Sequence, residues 1–256
     1  MNKDLIIDVG ESGVEIALLE DSNHAAGDIY LGQVKKTMAG LNAVFVDVGA
    51  EKDGFLHYLD LGINFLQLQS FVSKCISGNI DGFKTSKKTE PILEKNGQIT
   101  DVLKQGQLLL VQITKEPIST KGPRLSGEIS FAGRYVVLVP FNNKVSVSQK
   151  IKSIEERKRL RRLLISIKPE NVGLIIRTAA EGKTVSELDN DVRDLYSKWE
   201  AIVKQLNNAL PPKRLMSELD ASTAMLRDFL TEEFNNVYVN DSNLYEELKE
   251  YIKNIY

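Results

Sequence analysis

The chain has 256 residues, of which 42% are hydrophobic and 27% are charged, and its formal net charge at pH 7 is −2. Its one cysteine, Cys75, excludes an internal disulfide framework and a cysteine-rich zinc site, and its two histidines argue against a histidine-built metal centre. We find no signal peptide and no apolar run of about 18 residues, so we expect a cytoplasmic protein without a membrane span.

The first predicted element is a β-hairpin. Apolar runs at residues 5–9 and 14–19 flank the tight-turn sequence Gly-Glu-Ser-Gly at residues 10–13. The Ile-Asp-Val-Gly pattern around Asp8 is similar to the first hairpin of ribonuclease-H-like folds, in which an aspartate at this place holds a metal ion. Two interpretations of Asp8 therefore stay open: it is a metal ligand, or it only ends the strand.

Residues 28–118 are rich in short predicted strands that have glycine at their turns. The strands lie within residues 28–34, 40–49, 54–57 and 107–114. This pattern predicts a small barrel of the OB type. Between the third and fourth strands, residues 65–104 contain Gly78, Gly82, Gly97 and a polar run, and we expect a mobile loop there.

Two phenylalanines on the predicted barrel are candidates for nucleic-acid binding. In OB barrels, aromatic residues on one face stack on bases while lysines follow the backbone, and stacking contributes about 1–3 kcal/mol per base. Phe45 and Phe55 fit the first role, with Lys35, Lys36 and Lys121 around them. The alternative is that both phenylalanines face the barrel core.

The second half of the chain is predicted to be richer in helices. Its helices and strands lie at residues 134–140, 152–168, 185–210, 221–234, 236–240 and 242–256. Thr184 and Glu187 have the spacing of a capping box, and Trp199 falls on an apolar helical stripe typical of a core residue. Five cations crowd residues 157–162 and form either a solvated face or a contact for a phosphate backbone. The proline pair at 211–212 predicts the end of a helix and a linker.

Arg177 ends a further predicted strand, at residues 174–176, and Thr178 follows it. Side chains at the point where a strand becomes a loop are often functional. A guanidinium group makes two parallel charge-assisted hydrogen bonds to a phosphate, so an arginine with a hydroxyl beside it suits a terminal phosphate. The alternative is that Arg177 pairs with a nearby carboxylate and Thr178 starts a turn.

Motifs along nearly the whole chain carry a resemblance to a known family. Those of the first half are Tyr-Leu-Gly-Gln-Val at residues 30–34, Ala-Val-Phe-Val-Asp-Val-Gly at 43–49, Gly-Phe-Leu-His at 54–57, and Val-Gln-Ile-Thr-Lys-Glu-Pro with Thr-Lys-Gly within 111–122. They resemble the S1-type OB domain of the bacterial ribonuclease E/G family, and its ribonuclease G branch in particular. Ser-Gln-Lys-Ile at 148–151 and Gly-Leu-Ile-Ile-Arg-Thr-Ala at 173–179 resemble its 5′-end sensor.

The resemblance implies a single-strand endoribonuclease that processes ribosomal precursors, starts messenger decay and prefers RNA with a 5′ monophosphate as its partner. The residues implied at the 5′ phosphate and beside the first base are Arg177, Thr178, Lys150, Gln149, Gly133 and Val137. Those implied to grip the RNA strand in the S1-type domain are Phe45, Phe55 and Lys121. Lys150 departs from the family's pattern, which has an arginine there.

By the same resemblance, the fold is α+β with several domains. Residues 1–27 and 218–256 would form a ribonuclease-H-like scaffold, interrupted by an S1-type OB-fold barrel at 28–118 and a 5′-sensor α/β region at 119–217. In the family, two aspartates of a later deoxyribonuclease-I-like domain hold the catalytic magnesium. We therefore expect no catalytic residue or metal ligand in this chain, no activity of this chain alone, and a homo-oligomer only in the full-length protein. Two other hypotheses stay open: a free-standing RNA-binding module without nuclease activity, and a ribonuclease-H-like enzyme that uses Asp8.

Overall fold

The computed structural model describes residues 3–10, 13–20, 24–78, 91–217, 237, 239 and 242–255. These residues fall into two compact units, one within Met1–Ile129 and Ile202–Ser217, the other within Ser130–Ala201 and Glu218–Tyr256. The architecture mixes helices with strands, which confirms the predicted α+β class.

The first unit opens with the predicted hairpin, which is confirmed. Strand β1 (Lys3–Gly10) pairs antiparallel with β2 (Gly13–Glu20), and Asp8 lies opposite Glu15. The strand continues beyond Asp8 to Gly10. The side chains of this hairpin lie outside the described part of the structure, so the metal-ligand interpretation of Asp8 stays a prediction.

Five strands of the first unit close a β-barrel. They are β3 (Ile29–Met38), β4 (Ala43–Asp47), β5 (Gly54–His57), β6 (Leu108–Lys115) and β7 (Arg124–Ser126). Hydrogen bonds join them in the order β3, β4, β5, β7 and β6, and β6 pairs back onto β3. Alternate residues of each strand point inward and enclose an apolar core that includes Val34, Val44, Leu56, Leu109 and Val111. The closed five-stranded barrel is consistent with the predicted OB fold.

Helix α1 (Phe65–Ile76) lies in the segment for which the sequence predicts a mobile loop, so that prediction is wrong for these residues. Its buried side chains recur at helical spacing, which is the pattern of a helix that packs on one face. They are Phe65, Leu68, Val72 and Cys75. A single helical turn, α2 (Ile99–Val102), follows before β6. The polar run at residues 84–90 lies outside the described residues.

The second unit is built on a four-stranded sheet. Its strands are β8 (Phe131–Ala132), β9 (Val136–Pro140), β10 (Val145–Val147) and β11 (Val172–Ile176). Their order in the sheet is β10, β11, β9 and β8. Strand β11 runs parallel to β10 and antiparallel to β9, so the carboxyl ends of β10 and β11 meet the start of β9 at one edge.

Helices α3 (Ile154–Ile167) and α4 (Val185–Leu206) confirm two of the predicted helices. Thr184 and Glu187 form the predicted capping box: the amide of Thr184 donates to Glu187 Oε2 at 2.9 Å, and the amide of Glu187 donates to Thr184 Oγ1 at 3.4 Å. Trp199 on α4 is fully buried, and its ring lies edge-on to Phe131, which confirms its predicted place in the core.

Strand β12 (Lys213–Met216) returns the chain to the first unit, in a place where the sequence predicts a linker. It pairs antiparallel with β3 at residues 29–31. Next to this pairing, Asp28 is fully buried, and Arg214 Nη1 lies 3.7 Å from its Oδ2. The residues after the proline pair are therefore part of the barrel sheet and not a linker.

Helix α5 (Ser242–Ile255) confirms the last predicted helix. The predicted helix at residues 221–234 lies outside the described residues, as does most of the predicted strand at 236–240. Within the described ranges, every helix is too short or too polar to cross a lipid bilayer.

Candidate functional site

Two turns of the second unit flank Arg177, at the edge of the sheet where β11 ends. The amide of Ser148, just after β10, donates to the carbonyl of Ile176 at 2.9 Å. On the other side, the amide of Arg177 donates to the carbonyl of Tyr135 at 2.8 Å. The turn after β10 and the turn before β9 therefore both lie beside the predicted phosphate-binding residues.

The guanidinium group of Arg177 is held by the backbone of the turn before β9. Its Nη1 donates to the carbonyl of Gly133 at 2.6 Å, and the residue is half-buried. A carbonyl partner orients the guanidinium plane and leaves the positive charge without neutralisation by this contact.

The same turn is held in place by the carboxylate of Asp191, which projects from α4. Its two oxygens accept hydrogen bonds from the amides of Arg134, Tyr135 and Val136 at 3.1, 2.9 and 2.9 Å. Burial raises the pKa of Asp191 against the lowering effect of these three bonds. A β-carbon at Gly133 would lie 2.5 Å from Asp191 Oδ1, so the turn accepts only glycine at that position without a shift.

The remaining predicted sensor residues lie around Arg177. Thr178 begins the 3-10 turn Thr178–Ala180 and is exposed, as are Gln149 and Lys150 in the turn after β10. Val137 on β9 lies opposite Ile175 on β11. The side chain of Ile175 is 44% exposed, so this side of the sheet presents apolar surface. The structure thus brings the six residues to one edge of the sheet, and their roles in binding stay predictions.

Tyr135 adds an aromatic ring that sequence reasoning did not single out. Arg134 Cζ and Lys183 Nζ each lie 5.5 Å from the centre of its ring, a distance typical of cation–π contacts. Lys183 also pairs with Glu187 at 3.0 Å, and this carboxylate, more than any other group, raises the lysine pKa. Arg134 and Tyr135 are the first two residues of the strand predicted at 134–140, and nothing else in the sequence marks them.

Phe45 and Phe55 lie on the outer face of the barrel, so the alternative that both face the core is wrong. They are directly opposite each other on β4 and β5, with ring centres 5.8 Å apart in an edge-to-face arrangement. Both are half-buried and stand outside the apolar core. Lys36 on β3 lies opposite Phe45, and Arg124 on β7 lies opposite Phe55. The four side chains therefore form one row across four strands.

Lys121 lies in an exposed turn beside this row. The next residue, Gly122, packs so closely on the β4–β5 loop that a β-carbon would lie 2.1 Å from the carbonyl of Asp53. Beyond it, the carbonyl of Pro123 accepts a hydrogen bond from the amide of Phe55 at 2.8 Å. Lys121 therefore lies two residues from the backbone contact with Phe55, and its role in binding stays a prediction.

Two further side chains of this face were missed by sequence reasoning. Arg124 is fixed by Asp60, which accepts from its Nη2 at 2.9 Å and from its Nε at 3.2 Å. His57 shares the outer face with Phe55, and its Nδ1 accepts from the amide of Leu59 at 3.1 Å, so the neutral ring carries its proton on Nε2. The alternation of residues along β5 is the signal that identifies His57.

The described residues do not offer a metal site. Among them, no group of three or more histidine, cysteine, aspartate or glutamate side chains could hold a metal ion. The magnesium that the sequence resemblance implies would be held by a later domain of the family, and it stays a prediction.

Comparison with known proteins finds a matching family and several similar proteins. The model of the Ribonuclease E/G family matches residues 130–256. The chain is 37% identical over 245 residues to a protein named ribonuclease E from a Nostoc species, covering 95% of this chain and 32% of that protein. It is 31% identical over 263 residues to ribonuclease G of Escherichia coli K12, covering 98% of this chain and 50% of that protein. It is also 33% identical over 232 residues to a ribonuclease E/G-like protein of Pyropia yezoensis, covering 90% of this chain and 40% of that protein. The chain thus spans between about a third and a half of the length of these curated relatives.

Proposed function

The chain belongs to the ribonuclease E/G family, and from that premise we propose that it forms the RNA-binding and 5′-monophosphate-sensing portion of a single-strand-specific endoribonuclease. Such an enzyme would act in ribosomal RNA processing and messenger decay. The observation that carries the proposal is the Arg177 guanidinium, held by the Gly133 carbonyl, with Thr178 next to it in the chain and the turn that carries Lys150 beside it.

The 5′-sensing part of the proposal follows from charge and geometry at the edge of the second sheet. A terminal monophosphate carries close to two negative charges and three acceptor oxygens. Arg177 would bind it through its oriented guanidinium, and Thr178 and Lys150 would add a hydroxyl and an ammonium donor from either side. Gln149 would contribute an amide from the same turn. The apolar surface of Val137, together with the backbone of Gly133, would contact the first base.

The strand-binding part of the proposal rests on the row of side chains across the barrel. Phe45 and Phe55 offer two aromatic faces to bases, and Lys121 offers a cation to the backbone that joins them. Stacking accepts any base because every base has a π-face. The barrel would therefore hold single-stranded RNA with little sequence preference, while the Arg177 site would distinguish the chemical state of its end.

The finer architecture and chemistry also belong to this proposal. Residues 1–27 and 218–256 would form the ribonuclease-H-like scaffold that carries the S1-type barrel and the sensor. Cleavage by the whole protein would use magnesium held by residues outside this chain, and the chain alone would bind RNA without cutting it. Homo-oligomers would form only in the full-length protein.

The test is fluorescence anisotropy of one short single-stranded RNA, prepared with a 5′ monophosphate or a 5′ hydroxyl. We expect the parent chain to bind the monophosphate about ten to a hundred times more tightly, the range for one or two charge-assisted hydrogen bonds. Arg177→Ala should abolish this preference. Arg193→Ala, which removes an exposed arginine of α4, should keep it. Equal binding of both RNAs by the parent chain would rule out the sensor.

The barrel is tested with the same two RNAs. Phe45→Ala and Phe55→Ala should each weaken the binding of both by about five- to a hundredfold, because one stacking contact is lost, and should leave the monophosphate preference unchanged. Tyr245→Ala removes an exposed aromatic residue of α5 and is the matched control. A gel of the same mixtures in magnesium checks for cleavage, and cleavage by this chain alone would contradict the placement of the catalytic site outside it.

A further inference from the structure

Helix α3 presents a row of cations on the side opposite its buried face. Leu160 and Leu164 are fully buried, whereas Lys158, Arg161 and Arg162 are exposed. Residues three and four positions apart on a helix have β-carbons about 5–6 Å apart, so the three cations are neighbours within little more than one turn. We name these three residues the α3 cationic face.

Among the residues that the structure describes, the α3 cationic face has no carboxylate partner such as the one that pairs with Arg159 on the same helix. Arg159, on another side of α3, is paired with Glu156 at 2.6 Å and also donates to the carbonyl of Lys183 at 3.0 Å. Within the part of the chain that the structure describes, none of the three residues of the face forms an ion pair, and Arg162 contacts only a backbone carbonyl of its own helix, at 3.4 Å. Their charges are therefore available to a ligand.

The surroundings of the face favour an anionic ligand over a purely solvated surface. Residues 152–168 contain seven cationic and two acidic residues, a local excess of five positive charges in a chain whose net charge is −2. Ile154 and Ile165 lie on the same side of α3, before and after the three cations, and their side chains are 60% and 55% exposed. Two isolated isoleucines are too little apolar area for a stable protein interface, which needs about 800 Å² from each partner. A phosphate backbone needs cations and little apolar area.

We propose that the α3 cationic face is a second RNA-binding surface, which binds the phosphate backbone of a segment away from the 5′ end without reading its bases. The proposal rests on RNA being the ligand, as in the proposed function, but not on recognition of the 5′ monophosphate. The face extends the contact beyond the terminal nucleotides, so that longer RNAs bind more tightly than short ones. Binding of this kind depends strongly on salt, because each neutralised phosphate releases counterions.

The test is a triple variant, Lys158→Gln/Arg161→Gln/Arg162→Gln, of the whole 256-residue chain. Its binding to a long 5′-hydroxyl RNA is measured at several salt concentrations. We expect the slope of log affinity against log salt to become less steep by about 2, as three phosphate contacts on a single strand require. The preference for a 5′ monophosphate on a short RNA should not change. The melting curve should also match that of the parent, because the three side chains are exposed.

Two controls separate local binding from a change in overall charge. Lys95→Gln/Lys104→Gln/Lys204→Gln removes three exposed lysines from other parts of the chain and should leave the slope close to that of the parent. Arg161→Lys/Arg162→Lys keeps the charges on α3 and should also keep the slope.

Each contrary result overturns the proposal in a recognisable way. An unchanged slope in the α3 triple variant shows that the face does not contact RNA. An equal fall of the salt slope in both triple variants would show that the effect depends on net charge and not on the position of the cations. Binding of the parent chain to vesicles containing anionic lipid, lost in the α3 variant while RNA binding persists, assigns the face to a membrane surface. Failure of the proposed function is separate from all three, because it shows in Arg177→Ala and in the two RNA ends.

Discussion

At the scale of single residues, the turn beside Arg177 is held by Asp191, a side chain that is not among the predicted phosphate-binding residues. Asp191 uses its two oxygens to accept from three consecutive amides, and this fixes the turn that carries Gly133. The carbonyl of Gly133 in turn fixes one arm of Arg177. A partly buried carboxylate is costly unless hydrogen bonds compensate it, and here three backbone donors provide the compensation.

We predict that Asp191→Ala lowers the free energy of unfolding by about 3 kcal/mol, because three amides of a partly buried turn lose a charged acceptor. Urea denaturation followed by circular dichroism measures the change. Asp194→Ala removes an exposed carboxylate one turn further along α4 and should stay within about 0.5 kcal/mol of the parent. A similar stability for both variants would show that Asp191 does not support the turn.

Some of these residue roles follow from sequence and others do not. The capping box of Thr184 and Glu187 is local, so its spacing alone predicts it. The face of the barrel on which Phe45 lies cannot be predicted from local sequence, because alternation along a strand defines two faces without saying which one points inside. The contact between Arg177 and the Gly133 carbonyl joins residues 44 positions apart, and no sequence pattern marks it.

At the scale of elements, α3 is joined to the loop that precedes α4 by one ion pair, and both of its members also form hydrogen bonds to the backbone of that loop. Glu156 Oε1 accepts from the amide of Gly182 at 2.9 Å, while its partner Arg159 donates to the carbonyl of Lys183 at 3.0 Å. Arg159 first, and the Gly182 amide second, lower the pKa of Glu156 from its ordinary 4.5 to about 2. The pair therefore holds two elements together with hydrogen bonds that need an ionised carboxylate.

The lowered pKa of Glu156 makes a prediction about stability and pH. Since its folded-state pKa lies below its unfolded-state value, the ionised group stabilises the fold above about pH 4.5, and this contribution is lost as the pH falls through about 2. Glu156→Gln should remove about 1 kcal/mol at neutral pH, a small value because the pair is partly exposed, and should flatten the acid limb of the stability curve. Chemical denaturation at a series of pH values measures this.

The neighbouring Glu155 is the matched control, because it is exposed and lies on the same first turn of α3. Glu155→Gln should leave the acid limb of the curve as steep as in the parent. If both variants gave the same curve, the hydrogen bonds of Glu156 would not stabilise the contact between α3 and the loop.

Elements with a clear period were predictable and short or context-dependent ones were not. The apolar stripe of α4 is long enough for its helical period to identify it, and β6 is identified as a continuous apolar run bounded by turn residues. Helix α1 carries a helical spacing as well, but the glycines and polar residues that follow it favoured a loop over the whole segment. Strand β12 has four residues, and it forms because β3 offers it a partner.

At the scale of the whole chain, a buried charge ties the start of the barrel to its last strand. Asp28, fully buried before β3, lies 3.7 Å from Arg214 Nη1 on β12, and Ser217 Oγ donates to its Oδ1 at 3.4 Å. The hydroxyl of Tyr30 donates to its Oδ2 at 3.3 Å, and burial first and the Asp28 charge second raise the pKa of Tyr30 to about 12. Residues from distant parts of the chain thus share one carboxylate.

We predict that Arg214→Ala destabilises the chain by about 2 kcal/mol, below the range for fully buried pairs because the arginine is partly exposed. Asp28→Asn in the same chain should restore part of this loss, because the buried charge that Arg214 helps to compensate disappears. Urea denaturation of both variants and the parent checks this. Lys204→Ala, an exposed lysine on α4, is the control and should change little. No recovery in the double variant would show that Arg214 acts by packing and not by charge.

Strand β12 has a consequence for the order in which the chain is made. Its partner positions on β3, residues 29–31, leave the ribosome early, whereas Lys213–Met216 follows only after the sheet of the second unit has been synthesised. At roughly 5–20 residues per second, the 182 residues from Leu31 to Lys213 take about 10–40 seconds, and that edge of β3 waits this long for its neighbour. An unpaired strand edge is a template for pairing with another chain. Nascent chains are therefore most prone to associate with one another in the interval between β7 and β12, and slower translation of the intervening segment would lengthen their exposure.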